Sequence, residues 1–364
     1  MNQLRALTRL AFDELGLGTG GIGQVHRAIA DRAFPGPGVA KALHDGISGA
    51  VYASVAGAAT LAGRATAAVV RDRPISTTPR GAVVLGVLNG LQGDVLEREG
   101  SELAVPMTLR VDGERTPRIV VFVHGLFETE LAWGYGGGPR YGDRLASEHG
   151  FTPVYARFNS GRHISENGRS LAALLDELVA DWPVEVEQIV LVGHSLGGLV
   201  ARSACHAGGD WTGRVTHVVS LGSPHRGAPL ESAVHYAAAA LGAVPETRPL
   251  SRFLRRRSAG IRDMRSGSLV DEDWRDRDPD ALRAVACREV PLLDGATHCF
   301  VAATVTSRPD HPVARLLGDW LVLERSASHR AQAALHVGSA HHLALLNHPA
   351  VYARLSEWLA PRPG

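Results

Sequence analysis

From about residue 103 to the C-terminus, short apolar runs alternate with stretches in which apolar residues recur at helical spacing. The runs predict strands at 107–111, 119–123, 153–158, 189–192, 215–221 and 300–305, the first two joined by a turn at Asp112-Gly113. The helical spacing predicts helices near 141–149, 171–182, 196–206 and 349–359. Strands that alternate with helices build parallel sheets, so the pattern predicts an α/β protein whose mostly parallel sheet is flanked by helices.

Residues 1–102 follow a different pattern. The segment 47–70 is rich in alanine, glycine and serine and carries a single charged residue. Small residues recur four apart in it, at Gly49, Ala53 and Gly57. This spacing lets two helices approach closely, whereas the density of Leu, Ile and Phe is low for a membrane-spanning helix. We therefore expect a tightly packed helical N-terminal extension over 1–102, which covers the main domain over 103–364 or contacts a membrane surface.

The composition excludes several classes of protein. The 38 basic and 37 acidic residues cancel to a formal net charge of +1, so no nucleic-acid partner is expected. Three cysteines, Cys205, Cys287 and Cys299, leave one unpaired, which argues against a disulfide scaffold and suits a reducing compartment. No apolar run precedes Asp13, so a classical signal peptide is not expected. These features predict a cytoplasmic protein, with peripheral membrane contact through the helical extension as the open alternative.

One motif carries specific chemistry. The apolar run 189–192 leads directly into Gly193-His194-Ser195-Leu196-Gly197. A β-branched strand that feeds a Gly-x-Ser-x-Gly turn is typical of a nucleophile elbow, in which a strained turn projects the serine hydroxyl above the sheet. The turn crowds the positions two before and two after the serine, and only residues as small as Gly193 and Gly197 fit there. Ser195 is therefore the predicted nucleophile, at the positive N-terminal end of the helix that follows.

A serine nucleophile also needs a site for the developing anion. The apolar strand 119–123 ends in His124-Gly125-Leu126-Phe127, one strand ahead of the elbow. Enzymes with such an elbow take one oxyanion donor from this place and the other from the residue after the nucleophile. We therefore predict that the backbone N–H groups of Leu126 and Leu196 form the oxyanion hole.

The acid and the base should follow the elbow in that order. Two aspartates follow the strand 300–305. Asp319, where a loop re-enters an apolar segment, is favoured over Asp310, which lies in a turn-like Arg-Pro-Asp-His-Pro stretch. The candidate bases are four histidines near the C-terminus, His336, His341, His342 and His348. In proteins with such an elbow, the base lies on the loop before the last helix. This position favours His341 and His342.

Together these motifs resemble those of the lipase-like α/β-hydrolases, which include bacterial triacylglycerol lipases and the PGAP1-like inositol deacylases. The resemblance covers about residues 103–361. It rests on the motifs Val123-His124-Gly125-Leu126, Gly193-His194-Ser195-Leu196-Gly197-Gly198, Gly222-Ser223-Pro224-His225-Arg226-Gly227, Gly318-Asp319-x-Leu321-Val322 and His342-Leu343-x-Leu345. It implies an α/β-hydrolase fold with Ser195 as nucleophile, Asp319 as acid and His342 as base, and it also implies Leu126 and Leu196 as the oxyanion donors.

Two positions depart from the family pattern. Bacterial lipases carry a calcium-binding aspartate two residues after the catalytic histidine, whereas this chain has Ala344. We therefore expect no structural calcium, and the predicted chemistry requires no other metal or organic cofactor. The Asp-Gly of the acid motif is Asp319-Trp320 here, which places a bulky side chain beside the acid and keeps Asp310 as an alternative.

A long insertion at about 223–298 separates two predicted strands. In this fold an insertion at that place often forms a cap over the acyl pocket. It contains a basic cluster at 252–257 and an acidic run at 271–276. We expect a cap insertion, with a solvated structural excursion as the alternative.

These features predict a serine carboxylic-ester hydrolase, an esterase or lipase that acts through a Ser-Asp-His triad and an acyl-enzyme. Its expected substrates are small-molecule or lipid-like esters with medium or long acyl chains. Two alternatives stay open: an acyltransferase that uses the same residues, and a non-catalytic adaptor that keeps the hydrolase fold. The sequence leaves the exact substrate and the oligomeric state open.

Overall fold

A computed structural model describes residues 3–33, 39–69, 74–227, 248, 256–279, 281, 286–304 and 333–360. The chain divides into two compact units, each built from segments that are distant along the sequence. The first unit comprises 1–82, 98–103 and 233–257, and the second comprises 83–97, 104–232 and 258–364. An N-terminal helical extension is present, while the predicted domain division into 1–102 and 103–364 stays a prediction.

The helices and strands have the following bounds within the described residues. The α-helices are α1 (Gln3–Ala33), α2 (Val39–Val69), α3 (Pro79–Arg98), α4 (Tyr141–His149), α5 (Ile164–Ala180), α6 (Leu196–Ala207), α7 (Ala259–Ser266) and α8 (Pro349–Leu359). The strands are β1 (Thr108–Val111), β2 (Arg118–Val123), β3 (Thr152–Arg157), β4 (Gln188–His194), β5 (Val215–Leu221), β6 (Thr297–Thr304) and β7 (Ala333–Gly338).

Helices α1 and α2 pack against each other in the first unit. A β-carbon added at Gly63 would come within 2.6 Å of Phe12 Cβ, and one added at Gly49 within 3.5 Å of the guanidinium of Arg27. The predicted close approach of two helices is therefore present. Of the predicted stripe, Gly49 lies at the seam, whereas Ala53 and Gly57 are exposed. Helix geometry explains the difference: the seam follows residues three and four apart, and that rotation turns these two positions outward.

The seven strands form one sheet in the order β1-β3-β2-β4-β5-β6-β7. Every neighbouring pair is parallel except β1 with β3. The prediction of a mostly parallel sheet flanked by helices is confirmed. The turn at Asp112-Gly113 joins two strands that do not pair with each other, because β3 lies between β1 and β2. Parallel strands end at one common edge, so the loops after β2, β4, β5 and β7 meet there.

Alternation along β2 divides the core into two layers. Ile119, Val121 and Val123 pack in the layer that holds residues of α5 and α6. Val120 and Phe122 pack in the opposite layer, with residues of α4 and α8. All five side chains are fully buried, as expected for a strand covered on both faces. Each such side chain contributes about 1.5–3 kcal/mol of hydrophobic stabilisation, which makes the strand ends a rigid platform for the loops they carry.

Helix α5 and strand β7 differ most from the prediction. Helix α5 begins at Ile164, seven residues before the predicted start at 171, because its first two turns are mostly polar or small and lack apolar spacing. Strand β7 was not predicted. It is short, it contains His336, and four of its six residues are only partly buried, so its sequence lacks the apolar run that marks the other strands.

Candidate active site

Ser195 lies at the sharp turn between β4 and α6. Its backbone has φ 53° and ψ −122°, a conformation that costs a non-glycine residue about 1–3 kcal/mol. The turn is held by the Ser195 N–H, which donates to the Leu221 carbonyl at 2.8 Å at the end of β5. A β-carbon at Gly193 would overlap the backbone of Gly198, and one at Gly197 would overlap the carbonyls of β2 and its loop. The space at positions 193 and 197 is therefore too small for a side chain, as the elbow motif predicts.

Backbone strain recurs around this turn. Among the described non-glycine residues, positive φ occurs at Ser195, Phe127, Ser339 and Asp276. Phe127 directly follows the predicted oxyanion donor Leu126, and Ser339 lies three residues before His342. Three of the four strained residues thus flank the three loops to which the sequence assigns catalytic parts. Strain of this kind persists only where the surrounding structure holds it, and it is concentrated at functional sites.

The loop after β2 lies against the elbow. A β-carbon added at Gly125 would come within 3.0 Å of Ser195 Cβ, so the chain passes directly beside the serine. The Gly125 N–H donates to Glu128 Oε2 at 2.7 Å, and the Phe127 N–H donates to Ser160 Oγ at 3.3 Å. The N–H of Leu126 stands between these two and takes part in neither bond. The N–H of Leu196 begins helix α6 beside the serine. The structure therefore brings both predicted donors to the elbow.

His342 is the histidine that meets the elbow. Its side chain is buried, and its ring centroid lies 4.7 Å from that of His194, the residue before Ser195. A β-carbon added at Gly222, which has φ 62°, would come within 3.0 Å of the His342 ring. Gly222 directly follows Leu221, whose carbonyl accepts from Ser195, so the His342 ring and the serine occupy the same end of the sheet.

The other candidate histidines have other surroundings. His336 lies within β7, where its Nε2 is 2.9 Å from Thr304 Oγ1. His341 is exposed and contacts the ring of Tyr135. His348 caps α8, with its Nδ1 accepting from the Ala350 N–H at 3.2 Å. Geometry thus separates four residues that the sequence left close together.

The candidate acids Asp319 and Asp310 both lie outside the described residues. The choice between them, and the role of either, stays a prediction. Among the residues that the structure does describe, no group of three His, Cys, Asp or Glu side chains is arranged to hold a metal ion.

Sequence reasoning missed Glu128, which lies beneath the site. Its Oε1 is 2.9 Å from His194 Nδ1, and its Oε2 accepts from the Gly125 N–H. His194 is fully buried, and its Nε2–H donates to the His342 carbonyl at 3.3 Å. Both ring nitrogens of His194 therefore face acceptors, which is the arrangement of a positively charged imidazole. Nothing in the sequence marks this contact, because the two residues are 66 positions apart and each alone looks like a polar loop residue.

The electrostatics of this mostly buried carboxylate are consistent with an ion pair. Burial by itself raises the pKa of Glu128, but the charge of His194 and the hydrogen bonds from His194 and Gly125 outweigh it, so the net pKa lies below its usual range. Burial lowers the pKa of His124, whose Nε2 accepts from the Phe158 N–H at 3.3 Å. His124 is thus a neutral packing residue, stacked on Phe158, that shapes the loop rather than reacting.

The predicted cap insertion, about 223–298, is described only in part. Its helix α7 is joined to the start of α5 through Asp263, which accepts from the Ile164 N–H at 2.9 Å and lies 3.0 Å from His163 Nδ1. Residues 252–255 of the basic cluster lie outside the described residues. Whether the insertion closes over an acyl pocket stays a prediction.

One family model matches part of the chain. A family model described as PGAP1-like alpha/beta domain matches residues 158–265, which include Ser195 but neither Leu126 nor His342. None of the curated proteins compared with the chain matches it.

Solved structures with a similar fold include lipases and esterases. The mature lipase BlEst2 of Bacillus licheniformis is 20% identical, with 70% of this chain and 98% of that chain covered and a TM-score of 0.47. A lipase-esterase related protein of Clostridium acetobutylicum is 14% identical, with 70% and 100% covered and a TM-score of 0.40. The chain thus combines a mostly parallel sheet flanked by helices and a strained serine turn with a segment, residues 158–265, that matches the PGAP1-like alpha/beta domain.

Proposed function

We propose that this protein is a serine carboxylic-ester hydrolase. The observation that carries the proposal is the strained backbone of Ser195, held at the carboxyl end of β4 with His342 and the Gly125 loop beside it. An energetically costly turn at a serine whose neighbours include the buried His342 has no evident structural benefit. It suits a nucleophile that must project into a site already equipped with a base and anion donors.

The proposed reaction has two steps. His342 removes the proton of the Ser195 hydroxyl, and the Oγ atom attacks the ester carbonyl to form a tetrahedral intermediate. Its oxyanion accepts hydrogen bonds from the N–H groups of Leu126 and Leu196, each worth roughly 10²–10³ in rate. The protonated His342 gives its proton to the leaving alcohol as the C–O bond breaks, which leaves an acyl-enzyme. His342 then takes a proton from water, whose oxygen attacks the acyl carbon and releases the carboxylic acid and Ser195.

The proposed substrates are esters with medium or long acyl chains. Leu126 and Phe127 support this assignment, because the loop beside the nucleophile carries two apolar side chains, of which Phe127 is exposed. An apolar residue that is exposed beside a reactive serine can contact the acyl chain.

The test is hydrolysis of a p-nitrophenyl ester series from acetate to palmitate, together with labelling by a fluorophosphonate. We expect turnover, labelling of the serine, and a preference for chains longer than acetate. A folded protein that hydrolyses no member of the series and does not react with the fluorophosphonate would overturn the proposal and favour a non-catalytic adaptor. Addition of an alcohol separates hydrolysis from acyl transfer, because only transfer yields the new ester as main product.

The acid is assigned by a matched pair of variants. We propose Asp319 as the residue that orients and stabilises the His342 imidazolium, so Asp319→Ala should lower kcat by about 10³–10⁴-fold, less than loss of the nucleophile. Asp310→Ala should leave kcat within about twofold, since on this assignment Asp310 takes no part in the transition state. The measurement is kcat on one ester for both variants, and a large loss with Asp310→Ala alone would reverse the assignment.

A further inference from the structure

One stretch of α2 is apolar and largely exposed. The part His44–Ala68 is long and apolar enough to cross a membrane by length and composition alone, and only 6% of it is buried. Buried core helices and N-terminal signal sequences can be equally long and apolar. This helix, in contrast, is exposed and follows the 31-residue α1. The uncharged run 46–63 extends for about 27 Å at 1.5 Å per residue, close to the thickness of about 30 Å of a bilayer hydrocarbon core.

Packing in the helix pair aligns the uncharged part of α1 with that of α2. A β-carbon at Gly23 would meet the Tyr52 ring at 2.8 Å, and one at Gly16 would lie 3.4 Å from the Ala56 carbonyl. This antiparallel register places the uncharged residues 15–25 of α1 beside the uncharged run of α2. Ion pairs such as Lys41 with Asp31, at 2.6 Å, lie at one end of this zone.

Large apolar side chains are exposed throughout this zone. They are Leu15, Leu17, Ile22, Ile47, Val51, Val55 and Leu61. On α2 the exposed positions cover every side except the seam with α1. A second helix would cover one narrow stripe, whereas lipid covers all exposed sides at once. We propose that the face of the α1–α2 pair formed by residues 15–25 and 46–63 binds a lipid membrane.

The test is flotation of the full chain with vesicles of equal parts phosphatidylcholine and phosphatidylglycerol. Wild type should float and stay bound in high salt. Val51→Glu or Val55→Glu should reduce partitioning by about 100-fold, because a carboxylate in the apolar zone must be desolvated. The control is Ile29→Glu: Ile29 is 54% exposed, like Val51, but lies outside the uncharged zone, so this variant should float.

Two results would overturn the membrane proposal. The first is failure of wild type to float with the vesicles. This result counts against the proposal whether the protein is a monomer or a dimer that Val51→Glu dissociates. The other is equal flotation of all variants. Hydrolysis of p-nitrophenyl acetate, a soluble ester, should be unchanged in Val51→Glu, so failure of membrane binding and failure of the proposed function are separate observations.

A second and independent inference concerns Glu128 and His194, and it rests on the proposed ester hydrolysis. Glu128 joins the Gly125 loop to His194, and His194 joins the elbow to the His342 backbone. All three proposed catalytic loops are therefore tied to one ion pair between the buried His194 and the partly exposed Glu128. We infer that Glu128 and His194 are positioning residues, which hold the Leu126 N–H and the His342 ring against Ser195.

The matched control is Glu130, two residues further on. Glu130 is buried and pairs with Arg157 at 2.6 Å, and this pair shares no residue with the Glu128–His194 pair. Glu128→Ala should lower kcat by about 10²-fold, the worth of one oxyanion donor, with KM within about threefold. Glu128→Gln should recover part of that loss, since its amide oxygen still accepts from the Gly125 N–H. Glu130→Gln should keep kcat near that of wild type.

A spectroscopic readout tests the ion pair apart from activity. In wild type the ring nitrogens of His194 should both carry protons in the ¹⁵N NMR spectrum near neutral pH, and Glu128→Gln should remove that signature. A neutral His194, or equal kcat losses in Glu128→Ala and Glu130→Gln, would overturn the positioning role. If wild type is not labelled by a fluorophosphonate, the proposed function is overturned, whatever the protonation state of His194.

Discussion

Ser195→Ala is expected to abolish ester hydrolysis, with kcat reduced by about 10⁴–10⁶-fold on the ester that wild type prefers. The elbow turn places residue 195 at the N-terminal end of α6, so this variant lacks the proposed nucleophile. Any residual rate should come from the anion donors and substrate binding alone. The variant should also fail to react with a fluorophosphonate, which reports the nucleophile without dependence on substrate choice.

Ser195→Gly separates the chemistry of this position from its strain. Glycine adopts positive φ without the steric cost that a β-carbon brings, so this variant should unfold at a higher temperature than Ser195→Ala. The expected gain in the free energy of unfolding is about 1 kcal/mol, offset in part by the greater entropy of glycine in the unfolded chain. Thermal unfolding of the three proteins measures it. If Ser195→Ala retained turnover, or if glycine did not stabilise relative to alanine, the elbow would not be the strained nucleophile turn described above.

His342→Ala is expected to have the second largest effect, a loss of about 10⁴–10⁶-fold in kcat, because the serine hydroxyl then has no base. His341→Ala is the control. His341 is adjacent in sequence and was equally favoured by chain position, but its exposed ring contacts Tyr135 and is not among the residues around the elbow. That variant should keep kcat within about twofold of wild type.

The two histidine variants are compared on one ester at equal concentration of folded protein. Folding needs its own measurement, since the buried His342 ring packs against Gly222 and His194, and its removal leaves a space in the site. Circular dichroism and thermal unfolding serve this purpose. An inactive His341→Ala beside an active His342→Ala would show that His341, and not His342, is the base.

Local sterics explain why the elbow could be predicted from the sequence. Gly193, Ser195 and Gly197 lie within five residues of one another, and the turn they build depends on their own backbone and on atoms one strand away. The strand before the turn is an uninterrupted apolar run, because both of its faces are covered. The fold class was predictable for the same reason: alternating strand and helix patterns restrict the connections to a few parallel arrangements.

Tertiary contacts were needed wherever several residues met the same local criteria. The sequence left four histidines as candidates for the base, and the approach of His342 to Gly222 and His194 distinguishes it from the rest. The Glu128–His194 pair joins loops that are far apart in the chain, and no short-range pattern encodes it.

The small-residue seam between α1 and α2 was likewise predictable from the sequence only in part. The sequence by itself determined that two helices rich in small residues could approach closely, because side-chain volume is a local property. Which face of α2 would form the seam, and which would stay exposed, depended on its rotation against α1. In this protein, the backbone strain at Ser195 and the apolar periodicity could be predicted from the sequence, since both arise between residues that are near neighbours in the chain. The partners of His342, Glu128 and α2 were decided by the tertiary structure, because a contact between distant residues depends on how all the intervening elements pack.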